Sequence, residues 1–166
     1  MPGTLSRDEV LEILDEVKDP EVPVLSVVEL GIVRDVHIDD DVVTVVITPT
    51  YSGCPAMQVI EHDIVSALTS HGIEHARVKT VFSPAWTTDW LTADAKAKLE
   101  AYGIAAPPRA PATSGLVLIG RRPERPRCPY CGSSDTDVRS EFGTTACKSI
   151  CYCNACRQPF EQFKPI

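Results

Sequence analysis

Two CxxC pairs near the C-terminal end constrain this chain more than any other feature. Cys128-Pro-Tyr-Cys131-Gly and Cys153-Asn-Ala-Cys156 are separated by 21 residues. A two-residue gap lets both thiolates of a pair reach one ion, and the glycine after the first pair permits a tight turn whose N–H groups face sulfur. The spacing is close to that of a four-cysteine zinc site. Between and after the pairs, Thr136–Phe142, Lys148–Tyr152 and Gln158–Phe163 read as strands, which together predict a zinc ribbon over residues 128–166. About forty residues cannot fold on apolar burial alone, and metal binding adds on the order of 10 kcal/mol of folding free energy. A redox CxxC would need a βαβ context that is absent here. An iron–sulfur cluster on the same four cysteines is the competing identity, since thiolates serve both metals.

Cys147 and Cys151 fit neither pair by spacing. Cys151 reads as a small strand residue, while the duty of Cys147 stays open between packing and an alternate ligand.

The rest of the chain reads as a separate α+β domain over residues 1–104, joined by a proline-rich linker over 105–127 that begins AAPPRAPATS. Ser6 and Glu9 have the capping-box pattern, and Val10, Leu11, Ile13, Leu14 and Val17 follow at helical spacing, with Asp19-Pro20 expected to end the helix. Val33–Ile38 and Val42–Thr48 flank the acidic turn Asp39-Asp40-Asp41 as a hairpin. A helix is expected from about Pro55 to Ser70, burying Met57, Ile60, Ile64, Val65 and Leu68 and closed by His71-Gly72. Ala76–Phe82 reads as a third strand, Thr92 caps a helix through Tyr102, and Leu116–Ile119 offers a further short strand. The order α-β-β-α-β-α predicts a small sandwich with helices on one face of a mixed three-stranded sheet. Trp86 and Trp90 read as a satellite hydrophobic cluster, with a partner-contact surface as the alternative.

Residues 1–106 carry 7 Lys/Arg against 18 Asp/Glu, whereas residues 107–166 carry 9 against 5. An acidic body argues against nucleic acid as the partner. Aliphatic runs such as VVTVVI (42–47) are too short to span a bilayer, and the amphipathic N-terminal stretch has no apolar signal core. These features give the expectation of a cytoplasmic chain with no membrane partner, in which clustered cysteines are metal ligands or reactive thiols rather than disulfides.

Cys54 stands alone before Pro55, a residue favoured at the first helical position, which predicts Cys54 as the N-cap. A thiol there would meet free N–H groups and the positive end of the helix dipole, and its pKa would fall. Gly53 would let a partner approach closely, and Thr48, Thr50, Tyr51 and Ser52 could donate to a bound anion or cluster sulfide. No histidine stands in a recognisable base motif, so nucleophilic catalysis by Cys54 is the weaker reading.

DPEVPVLSVVELGIVRDV (19–36), TPTYSGCPAM (48–57) and SPAWTTDW (83–90) resemble the PaaD/SufT family of iron–sulfur assembly proteins. The stretch from CPYCGSSDT to CRQPFEQFK resembles the zinc-ribbon extension of its PaaD branch. The resemblance implies a maturation role beside the phenylacetyl-CoA epoxidase of phenylacetate degradation: an accessory protein or subunit rather than a catalyst by itself. Its implied partners are the oxygenase and reductase components, with a homodimer left open. The family's motif cysteine carries over to Cys54, its opening acidic positions to Asp19 and Glu21, and its zinc ligands to Cys128, Cys131, Cys153 and Cys156. The implied cofactors are a structural zinc ion and a transient iron–sulfur cluster at Cys54. Two positions depart from the family: Cys151 stands where an aromatic or aliphatic residue is expected, and FKPI stands where a terminal cysteine is common. If Cys147 normally works with that cysteine, this sequence lacks the pairing. The alternative reading is a structural or adaptor subunit of the oxygenase complex.

Overall fold

A computed structural model of the chain describes residues 5–108 and 125–165. Most of the expected linker, and the short strand expected at Leu116–Ile119, lie outside the described residues. The chain divides into two compact units. One runs up to Trp86 and adds Trp90–Ala95; the other comprises Thr87–Asp89 and the chain from Lys96 onward.

In the first unit, α1 (Arg7–Asp15) opens with the expected reciprocal cap. The Glu9 N–H donates to Ser6 Oγ at 3.2 Å and the Ser6 N–H donates to Glu9 Oε2 at 2.8 Å, which satisfies two N–H groups that a helix start leaves free. The helix ends before Asp19-Pro20. Val17 gives its carbonyl to the Val27 N–H at 2.9 Å, and Lys18 forms a bridge with Ser26, so the backbone groups that would extend the helix are drawn into the following segment.

β1 (Val33–Asp39) and β2 (Val42–Ile47) form the expected hairpin, with His37 opposite Thr44. Its turn carries Asp40 at φ 51, a left-handed conformation that aspartate tolerates better than most side chains. β3 (Ala76–Thr80) lies on the other side of β2 and runs parallel to it, giving the order β1-β2-β3. A parallel pair needs a crossover, and α2 (Met57–Ser70) supplies it. Val43, Val45 and Ile47 alternate along β2 as buried residues, and Ile60, Ile64 and Leu68 form the buried stripe of α2. Met57 and Val65, also expected there, are only half-buried. Gly72 follows the helix at φ +88 as its left-handed stop. Trp86 is buried and donates its indole N–H to the Leu30 carbonyl at 2.9 Å, and Arg34 stacks on Trp90 with its Cζ 3.5 Å from the ring centroid. These contacts give both tryptophans a packing role.

α3 (Ala93–Ala101) starts beneath Thr92, whose hydroxyl accepts the Ala95 N–H at 3.1 Å. The division between units falls inside this helix.

The second unit is a four-stranded sheet in the order β4-β7-β6-β5, built from β4 (Ile104–Ala105), β5 (Thr136–Ser140), β6 (Lys148–Cys153) and β7 (Pro159–Phe163). The last three are the expected ribbon strands, paired antiparallel with Val138 opposite Cys151 and Cys151 opposite Phe160. β4 was not anticipated; it takes Ala105 into the sheet, parallel to β7. On one face, Ala105, Cys128, Cys151, Cys153 and Phe160 form a buried cluster, with Cys156 packed against it. On the other face, buried Lys148 pairs with Glu161 at 3.1 Å, and the second carboxylate oxygen of Glu161 accepts both the N–H and the hydroxyl of Thr144 at 2.8 Å. A side chain on Gly143 would meet that carboxylate oxygen at 2.7 Å, so the turn between β5 and β6 closes tightly on the ion pair.

Candidate metal centre and thiol loop

The two CxxC pairs converge on one point through matching turns. In the first, the Gly132 N–H returns to the Cys128 carbonyl at 2.9 Å, and the Cys128 N–H donates to the Ser133 carbonyl at 2.9 Å. In the second, the Arg157 N–H returns to the Cys153 carbonyl at 2.9 Å, and the Cys153 N–H donates to the Gln158 carbonyl at 3.0 Å. Gly132 lies at φ 73 and Arg157 at φ 60, so both turns need the left-handed region but only the first has a glycine there. Asn154 pins the second turn to β5, donating from Nδ2 to Asp135 at 3.0 Å and to Asp137 at 3.1 Å.

The four Sγ atoms all lie within 4.8 Å of one another. Two close approaches cross from one turn to the other: Cys128 to Cys156 and Cys131 to Cys153, both 3.6 Å. A tetrahedral ion with bonds of about 2.3 Å holds its sulfurs about 3.8 Å apart, so this donor set fits one ion. A multi-iron cluster, with each thiolate on a different iron, would spread the sulfurs further. N–H groups support the sulfurs, among them that of Cys156, 3.5 Å from Cys153 Sγ. This hydrogen bond leads in lowering the Cys153 thiol to about 7. Burial, followed by the neighbouring sulfurs, pushes Cys156 up to about 12. Four thiolates this close repel one another, and a cation would replace the protons that otherwise hold them together.

Neither surplus cysteine joins this group. Cys147 is buried with Sγ 3.1 Å from the Thr145 hydroxyl, and Cys151 is fully buried in the ribbon core with Sγ 3.8 Å from the Ser149 hydroxyl. Cys151 thus behaves as a small apolar residue.

The Cys54 loop departs from expectation in two respects. First, Cys54 is not the N-cap of α2. That position belongs to Ala56, with φ −68 and ψ −17 and no side-chain cap. The Cys54 N–H bonds the Tyr51 carbonyl at 3.2 Å and the Met57 N–H bonds the Cys54 carbonyl at 3.3 Å, so Cys54 sits in a turn ahead of the helix. Proline's fixed φ suits such a turn as well as a first helical position. Second, the thiol pKa is raised, not lowered. Half-burial is the leading cause, and the carboxylates of Glu21 and Asp19 add to it; the Ala56 N–H and the Thr50 hydroxyl pull the other way without prevailing.

The fold brings Asp19, Glu21, Thr50 and Cys54 into one neighbourhood across more than thirty residues of sequence. Asp19 is buried, and its Oδ1 accepts the N–H groups of Glu21 and Val22, each at 2.8 Å. Thr48 is buried with no hydrogen-bond partner for its hydroxyl among the described residues. A side chain at Gly53 would meet only the Tyr51 ring, at 3.7 Å, so this exposed position is open to approach from outside. Two carboxylates beside a protonated thiol favour a cation over a free anion.

Comparison with known proteins bears on both sites. Residues 7–81 match the family described as iron–sulfur cluster assembly protein, and residues 115–164 match the PaaD zinc β-ribbon domain. An Escherichia coli (strain K12) protein named as a proposed subunit of 1,2-phenylacetyl-CoA epoxidase is 42% identical over 95% of this chain and 92% of its own length. The chain belongs to the PaaD family. This PaaD-family chain is also 34% identical to the Fe-S protein maturation auxiliary factor YitW of Bacillus subtilis (strain 168), over 56% of the chain and 92% of the relative. Among solved structures, a conserved hypothetical protein of Thermotoga maritima matches at TM-score 0.52 and 33% identity, covering 60% of this chain and 98% of its own. A DUF59 domain from Bacillus anthracis matches at TM-score 0.53 and 28% identity, over 56% and 90%. The α+β domain followed by a zinc ribbon is therefore the architecture of this PaaD-family member, and the ribbon carries a four-cysteine metal-binding site. No helix among the described residues is long and apolar enough to cross a membrane.

Proposed function

We propose that the chain is a cytoplasmic maturation factor for the phenylacetyl-CoA epoxidase system, passing iron–sulfur species to an oxygenase or reductase component through Cys54. The observation that carries this reading is the neighbourhood of Cys54. A half-buried thiol beside Asp19, Glu21 and Thr50 lies in the stretch that matches the iron–sulfur cluster assembly family, and relatives of the chain are named maturation auxiliary factors. A thiol with a raised pKa keeps its proton until a cation displaces it. One such ligand suits a cargo that must be released, whereas four convergent thiolates hold an ion firmly. In this reading the ribbon carries a resident zinc ion on Cys128, Cys131, Cys153 and Cys156, which fixes the fold that recognises the target. The adaptor reading draws support from the name of the Escherichia coli relative, which makes it a component of the epoxidase; there Cys54 is packing and the chain joins the oxygenase at fixed stoichiometry.

The test is anaerobic preparation with iron and sulfide, with zinc, iron and acid-labile sulfide counted per chain for wild type and Cys54→Ser. Cluster content of the co-expressed target is measured in the same samples. Maturation predicts one zinc in both proteins, iron and sulfide lost in the variant, and a target left under-loaded by it. Full loading of the target by Cys54→Ser would remove the transfer role and leave the adaptor reading.

A further inference from the structure

The two family matches leave residues 82–114 uncovered, yet part of that stretch is built into the metal module. β4 pairs with β7 through Ile104 opposite Glu161 and Ala105 opposite Gln162, and both of its side chains are buried. Ala105 packs in one cluster with Cys128 and Cys153, one metal-site cysteine from each turn. Just before β4, Gly103 lies at φ +92. A Cβ there would stand 2.9 Å from Tyr130 Oη and 3.4 Å from the ring. Tyr130 is one of the two residues between Cys128 and Cys131. The segment Gly103–Ala105 therefore reaches the metal site twice, under the ring of the first turn and behind a ligand of each.

A two-residue strand has too few hydrogen bonds to hold itself in place, so its docking depends on the surface it meets. That surface consists of the first cysteine turn and the cluster containing Cys128 and Cys153, which the ion draws together. We propose that Gly103–Ala105 is a metal-dependent strap: it docks as the fourth strand on the loaded ribbon and in turn tightens metal binding. The inference rests on the four cysteines being a metal site. Coupling of this kind is reciprocal, so whatever undocks the strap must weaken the metal by the factor by which metal favours docking. The accessible side of the site is then that of exposed Cys131 and half-buried Cys156, while Cys128 and Cys153 lie covered.

The experiment uses the full chain. Zinc affinity is measured by equilibrium competition with a chromogenic chelator for wild type, Gly103→Val and Tyr130→Ala, and hydrogen exchange is followed over residues 103–105. A β-branched residue is strongly disfavoured in the left-handed region, so Gly103→Val is expected to weaken zinc binding about tenfold. Tyr130→Ala introduces no backbone strain and should weaken binding by a smaller factor. In both zinc-loaded variants 103–105 should exchange faster while β5–β7 stay protected. Unchanged zinc affinity in both variants overturns the proposal, as does a strap that stays protected after zinc removal from wild type. A wild-type chain that holds no metal would overturn the ribbon reading and the inference together; a loaded chain whose strap does not respond overturns the inference alone.

Discussion

Cys54 shows how a residue's chemistry is set by neighbours remote in sequence. Its raised pKa comes from half-burial and from Glu21 and Asp19 on the segment after α1. Because the folded pKa lies above the ordinary value, less thiolate is present at any given pH. Alkylation of Cys54 in the zinc-loaded chain, followed by peptide-resolved mass spectrometry, should be slower at neutral pH than that of a free cysteine. Its rate should keep climbing with pH past the value of about 8.5 at which an ordinary thiol is half ionised. Glu21→Gln removes one repelling charge and should speed the reaction at neutral pH; an unchanged rate would mean the carboxylate does not act on the thiol. The sequence offered Cys54, Asp19 and Glu21 through their resemblance to a family motif, and Thr50 as a hydroxyl of the same loop as the thiol. It did not display the direction of the shift, because that depends on burial and on charges that only the fold brings together. The N-cap assignment failed for a local reason: Pro55 fits two backbone roles, and the sequence does not distinguish them.

At the level of elements, β-rich runs and turn residues located β1, β2, β3, β5, β6 and β7 to within two residues at either end, most clearly β2, whose buried residues alternate strictly. β4 escaped, since two residues carry no period and its partner strand lies far along the chain. The second cysteine turn hides a further feature behind its spacing. Arg157 adopts φ 60 where the first turn has Gly132 at φ 73, and the hydrogen bonds around both are the same. Arg157 therefore holds a conformation that disfavours side chains. Arg157→Gly should stabilise the metal-loaded ribbon by about 1 kcal/mol, with the four sulfurs unmoved. Thermal denaturation of the loaded chain measures it, and a destabilised variant would show that the arginine side chain contributes more than its backbone strain costs.

For the whole molecule, the two units rest on different sources of stability. The first has an aliphatic core from α1, β2 and α2. In the second, three cysteines (Cys128, Cys151 and Cys153) stand in a buried cluster with Ala105 and Phe160, and so small a unit needs its ion. Chelation should therefore abolish one calorimetric transition and leave the other, with amide protection kept in β1–β3 and lost in β5–β7. Loss of both transitions together would show that the first unit depends on the metal as well. The strand orders carry a consequence for synthesis. In the first unit β2 is central and β3, the last of its strands to be made, adds at an edge. That sheet can close as the chain emerges from the ribosome, N-terminus first. In the ribbon, β7 is the last strand translated but occupies an interior place between β4 and β6. Until β7 has left the exit tunnel, β4 has no neighbour to pair with. A full chain in which β7 is kept from pairing should thus present a folded first unit and an unpaired β4, so closure of the ribbon sheet waits on a strand that follows both cysteine turns.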